Sequence, residues 1–113
     1  MWLFTETGFL SAVQKDPTKP VLSVRARDKQ SLADLAERFD LKIIQTPMAD
    51  YPYRVEVPKE QFAKWVTDEV TQINYSNFKN QVAVVRDSKF AKLLGSVWSI
   101  MLGAEDKEAR GTA

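Results

Sequence analysis

The chain has no cysteine and no histidine. Without cysteine there is no disulfide, no thiolate metal ligand and no cysteine nucleophile. Without histidine, the commonest general base and the commonest nitrogen ligand for zinc are missing, and Ser-His-Asp and Cys-His arrangements are excluded. Glycine is scarce: Gly8, Gly95, Gly103 and Gly111 are too scattered to build a phosphate-cradling loop. An excess of either charge is missing too. Sixteen basic and 15 acidic residues leave a net +1, without the strongly basic footprint of a duplex-DNA binder. No apolar run approaches the roughly 18–20 residues that span a bilayer. The longest candidate, Phe90 to Leu102, is broken by Lys92, Ser96 and Ser99. Residues 1–10 carry Glu6, no basic start and no small-residue cleavage pattern, so no targeting segment is read there. A cytoplasmic location is the expectation, in keeping with the lack of cysteine.

What is present is ordinary globular material, with 44% hydrophobic and 27% charged residues, three Trp, six Phe and three Tyr. This composition argues for a folded chain rather than a disordered one. A single domain is expected over residues 1–103, followed by a polar, mobile tail over 104–113.

The pattern along the chain supplies the elements. Leu22, Val24 and Ala26 alternate with Ser23, Arg25 and Arg27, the period-2 signature of a half-buried strand. Gly8 to Gln14, with Phe9, Leu10 and Val13, reads as its hairpin partner across the proline-containing linker 15–20. A helix follows, capped by Ser31 or Asp28, with Leu32, Leu35, Ala36 and Phe39 on one stripe. Lys42 to Thr46 is a short strand. Tyr51 to Val57 is another, with Tyr53, Val55 and Val57 on one face and Pro52, Arg54 and Glu56 on the other. Pro58 suits a first helical position, and Phe62, Trp65, Val66, Val70 and Ile73 predict the helix it opens. Ser76 can cap a short helix over Asn77 to Val85. Asp87 or Ser88 can cap a longer one, striped by Phe90, Leu93, Leu94, Val97, Trp98 and Met101 and stopped by Gly103.

The resulting order, β-β-α-β-β-α-α, predicts an α+β fold with a ferredoxin-like antiparallel sheet and helices mainly on one face. Right-handed crossover places strand 51–57 between 42–46 and 21–27, with the N-terminal strand at the far edge.

Candidate chemistry is sparse. Acids alone could serve a metal-dependent phosphodiesterase, and Asp50, directly before Tyr51, is the best placed of them. The carboxylates are otherwise spread over loops and polar helix faces, so no catalytic residue, metal ligand or cofactor is assigned. Arg25, Arg27 and Arg54 fall on the side of the sheet away from the first two helices, where guanidiniums could hold a phosphate or carboxylate. Tyr51 and Tyr75 could border that patch, but the leading reading makes them anchoring residues with hydrogen-bonded hydroxyls. If Arg27 lies opposite Arg54, like charges meet; if it lies opposite Glu56, an ordinary ion pair forms. The stacking aromatics of an RNA-binding sheet are not read on that face, since Tyr53 alternates into the core.

Trp2, Phe4 and Phe9 crowd the N-terminus as core material or as an exposed interface. Trp98 divides the same way. As core, its removal costs about 3–5 kcal/mol; as interface, its stripe builds a homodimer.

Several segments resemble those of a family of short proteins from bacteria and their phages. They are Met1-Trp2-Leu3-Phe4-Thr5 with Gly8-Phe9-Leu10-Ser11, Val24-Arg25-Ala26-Arg27, Asp50-Tyr51-Pro52-Tyr53-Arg54, Asn74-Tyr75-Ser76-Asn77-Phe78-Lys79 and Val97-Trp98. The resemblance covers nearly everything to about Leu102. It implies a phage or mobile-element setting and carries no catalytic residue with it.

The functional expectation is a non-catalytic interaction module that binds a protein partner or itself, away from membranes. The alternatives are an anion or single-stranded nucleic-acid binder through the arginines, and a metal-dependent phosphodiesterase.

Overall fold

The computed structural model describes residues 1–109 and Gly111. Its elements run β1 (Trp2–Thr5), β2 (Gly8–Val13), β3 (Val21–Ala26), α1 (Gln30–Arg38), β4 (Ile44–Gln45), β5 (Tyr53–Pro58), α2 (Lys59–Thr71), α3 (Phe78–Val85) and α4 (Ser88–Met101). A 3-10 turn, Leu102–Ala104, follows α4 and contains Gly103, so the helix ends before its expected stop. Of the tail expected over 104–113, Arg110, Thr112 and Ala113 lie outside the described residues. By internal contacts the chain divides into two compact units, Met1–Ser76 and Asn77–Ala113.

The first unit is an α+β structure on a five-stranded antiparallel sheet of order β1-β2-β3-β5-β4. As expected, β5 lies between β3 and β4, and β2 lies beside β3. The far edge differs: it belongs to β1, a strand that the sequence pattern did not predict, paired to β2 with Phe4 opposite Phe9 and Trp2 opposite Ser11. Trp2, Leu3 and Phe4 are all apolar, so no alternation marks the strand. The predicted 42–46 strand shrinks to two residues.

One face of the sheet is filled as the alternation dictates. Leu10, Ala12, Val24, Ala26, Val55 and Val57 pack with Leu32, Leu35 and Ala36 of α1 and Phe62 and Trp65 of α2. Trp65 is fully buried, its ring stacked on Phe62 and its Nε1 donating to the Asp34 carboxylate at 2.7 Å. The indole thereby buries its apolar body and satisfies its one polar group. The stripe on α2 ends early: Val70 and Ile73 are exposed.

The helix ends show which side chains do the local work. Lys29 occupies the N-cap of α1 without a side-chain bond. The expected cap Ser31 is instead buried, donating to Asp28 Oδ1 and accepting from the Phe9 amide, which ties β2 to α1. At the other end Asp40 adopts φ 52°, the Asp40 amide donates to Glu37 O at 3.4 Å, and the Leu41 amide donates to Ala36 O at 2.8 Å. This is a Schellman closure with Asp where glycine is commonest. Pro58 ends β5 and caps α2, one position earlier than the sequence placed it.

In the second unit, α3 and α4 pack as a helical hairpin. Asn77, not Ser76, caps α3 by accepting from the Asn80 amide, and Asp87 caps α4 by accepting from the Phe90 amide at 2.7 Å. Val82 and Leu94 are its buried apolar residues. Among the described residues, no helix is long and apolar enough to cross a membrane.

Candidate functional site

Period-2 geometry and the observed register fix what shares the face of the sheet opposite α1 and α2. On β1 these are Trp2 and Phe4; on β2, Phe9, Ser11 and Val13; on β3, Ser23 and Arg25; on β5, Arg54 and Glu56. One row runs straight across four strands: Trp2 opposite Ser11, Ser11 opposite Arg25, Arg25 opposite Arg54. Neither register weighed for Arg27 occurs. Arg25 is the residue that meets Arg54, Glu56 lies opposite Ser23, and Arg27 falls just past the end of β3.

Arg25 is held from two sides. Its Nη2 donates to Ser11 Oγ at 2.8 Å, and its guanidinium lies 4.6 Å from the centre of the Tyr51 ring. Arg27 reaches the same ring at 5.1 Å and pairs with Asp50 at 3.5 Å, in an exposed contact. Tyr51 is thus shared by two cations, a geometry in which the ring's negative face offsets part of their mutual repulsion. Among the described residues, buried Arg25 Nε has no hydrogen-bond partner, nor has buried Ser23 Oγ two residues away on the same face. Arg54 has no ion-pair partner among the described residues.

The aromatics prove to belong to this face. Trp2 packs edge-on against Phe9 with ring centres 5.4 Å apart, and Phe4 stacks on Phe9 at 4.7 Å. Phe4 and Phe9 are half-buried, whereas Trp2 is 68% exposed, so the core reading fails for Trp2. The sheet therefore carries aromatics beside its arginines, contrary to expectation. They come from β1 and β2, and recognising them required the unpredicted edge strand. Ser11 was missed for a different reason: only the register of β2 on β3, which sets it opposite Arg25, gives it a role.

Of the candidate border residues, Tyr51 joins the arginines and Tyr75 does not. Tyr75 follows α2, where burial raises its phenol pKa, with the charges of Glu6 and Glu69 adding to the rise. Burial also raises the Glu69 carboxyl, helped by Asp34 and Glu6. On the same helix Asp68 is held below its ordinary value by the hydrogen bond from Arg38, aided by Lys64. Asp50, the acid singled out from sequence, is engaged by Arg27. Among the described residues no three acids gather into a group that could hold a metal ion.

A second surface lies on α4. The stripe read there as core is largely on the outside: Trp98 is 61% exposed, Leu93, Val97 and Met101 are exposed with it, and so is Ile100, which the stripe did not include. Only Leu94 of the stripe is buried. The Lys79 ammonium of α3 sits 5.2 Å from the centre of the Trp98 ring. Helical periodicity reported an apolar side correctly, but it carries no information about what covers that side.

No family model matches the chain, and no curated protein or solved structure matches it.

Proposed function

We propose that the protein is a non-catalytic interaction module that self-associates through the apolar side of α4. The observation that carries this reading is the exposure of Leu93, Val97, Trp98, Ile100 and Met101 together on one helix. Several large apolar side chains exposed on one helix favour association. A second copy of the chain fits it by charge. Lys89 and Lys92 lie near the start of α4, while Glu105 and Asp106 follow its end, so antiparallel pairing brings opposite charges together. The absence of cysteine and histidine supports a binding role over a catalytic one. We further infer a ferredoxin-like arrangement for β3-α1-β4-β5-α2, with β2 standing where a fourth strand would pair with β3; the place of β5 between β3 and β4 supports it. The resemblance to bacterial and phage proteins favours a cytoplasmic, mobile-element setting.

Sizing chromatography with light scattering over a wide dilution series tests the proposal. The expected result is a dimeric mass that dissociates on dilution, and a monomeric mass for Leu93→Lys combined with Ile100→Lys. Both positions are exposed, so each substitution should change folding stability by only about 0.5 kcal/mol or less. A strictly monomeric chain at every concentration refutes self-association.

A further inference from the structure

Cross-strand like charges directly opposite each other are destabilising, yet the register sets Arg25 against Arg54, and among the described residues no carboxylate pairs with either. The nearby acids are placed otherwise: Asp50 is on Arg27, and Glu56 stands opposite Ser23. Arg25 cannot easily swing away, because Ser11 and Tyr51 fix its guanidinium, and its Nε has no hydrogen-bond partner among the described residues. The register therefore brings two cationic side chains to neighbouring positions of one face, where they can converge on a group with several anionic oxygens.

The remainder of the row specifies the ligand further. Trp2 lies two strands from Arg25, about 10 Å at ordinary strand spacing. It is the most exposed aromatic of the face and is held upright against Phe9. An exposed indole beside paired guanidiniums on one sheet face combines the two features that recognise unpaired nucleotides, a stacking platform and backbone charge. A duplex offers no free base face to such a platform, and the net charge of +1 gives no broad basic surface for one.

We propose that the sheet face opposite α1 and α2 binds single-stranded nucleic acid, with Arg25 and Arg54 on phosphates and the Trp2 indole stacked on a base.

The test is fluorescence anisotropy of a labelled oligothymidylate and its RNA counterpart against the whole chain, with a duplex of equal length and inorganic tripolyphosphate as competitors. Two phosphate contacts give a log–log salt slope of about −1.4, so affinity should fall about sevenfold between about 50 and about 200 mM salt. Trp2→Ala should weaken binding at least about fivefold, the lower end of one base-stacking contact. Arg54→Gln should weaken it and flatten the salt dependence, whereas Lys59→Gln should do neither. Arg25→Gln is kept as a secondary variant, because Arg25 also braces Ser11 and Tyr51; Arg54→Gln and Trp2→Ala carry the test if it misfolds. Binding of duplex as tight as single strand, binding indifferent to Trp2 and fully displaced by tripolyphosphate, or no binding at low salt would each overturn the proposal. The Leu93→Lys, Ile100→Lys chain serves as a parallel arm, so that loss of self-association and loss of nucleic-acid binding are read separately.

Discussion

Trp65 offers the sharpest test of how the core is held. Its indole is inaccessible to water, and its N–H donates to the Asp34 side chain at 2.7 Å. Asp34→Ala leaves that N–H facing an apolar interior without an acceptor. Hydrogen bonds to charged groups contribute about 1.5–3 kcal/mol, and an orphaned buried donor costs a similar amount. Trp65→Phe removes the donor and shrinks the ring stacked on Phe62, costing about 2–4 kcal/mol through lost contacts and a small cavity. In the double variant no donor remains to be orphaned, so the two costs should fall short of additivity by about 1.5–3 kcal/mol. Urea unfolding followed by far-ultraviolet circular dichroism measures each corner of the cycle. With slopes of about 1–3 kcal/mol per molar urea, a 2 kcal/mol loss moves the midpoint by roughly 1 M. A coupling below about 0.5 kcal/mol would refute the claim that this bond fastens α2 to α1.

Two further outcomes follow from the same structure. Burial and the charges of Asp34 and Glu6 raise the Glu69 carboxyl above its ordinary value of 4.5, so the folded chain holds that proton more tightly than the unfolded chain. Its contribution is full below the ordinary value and is lost as pH rises through the raised one. Glu69→Gln should therefore raise the melting temperature at pH 7, with a gain that shrinks toward pH 4; an equal gain at both pH values would contradict this origin. Asp40 sits in the left-handed region at the end of α1, a conformation that costs ordinary L-residues about 1–2 kcal/mol and Asp somewhat less. Asp40→Gly should stabilise by up to about 1 kcal/mol in thermal unfolding, and a marked loss would show that the Asp40 side chain has another role.

The parts of the fold written in alternation were legible. Val24 and Ala26 against Ser23 and Arg25, and Val55 and Val57 against Arg54 and Glu56, gave two central strands and their buried face correctly, because a half-covered sheet imposes period 2. What periodicity cannot state is partnership. Trp2 to Phe4 is apolar at every position, so strand β1 gave no signal, and with it went the aromatic part of the candidate site. The stripe on α4 and the residues Val70 and Ile73 were apolar at helical spacing yet exposed. The register that set Arg25 against Arg54 depends on the loop between β4 and β5 and on the turn into α2, whose lengths give no register by themselves. Tyr51 lies beside Arg25 and Arg27, whereas Tyr75 follows α2 near the charges of Glu6 and Glu69, a difference that the sequence pattern does not carry.

Strand β4 is only two residues long, and the chain leaves it through Pro47 and a left-handed Met48. A border so brief exposes few free amide and carbonyl groups in line, and proline removes one more donor. Foreign polypeptide therefore finds little template at this border for lengthening the sheet. The other border, β1, is four residues long, so any pairing through the backbone is directed there.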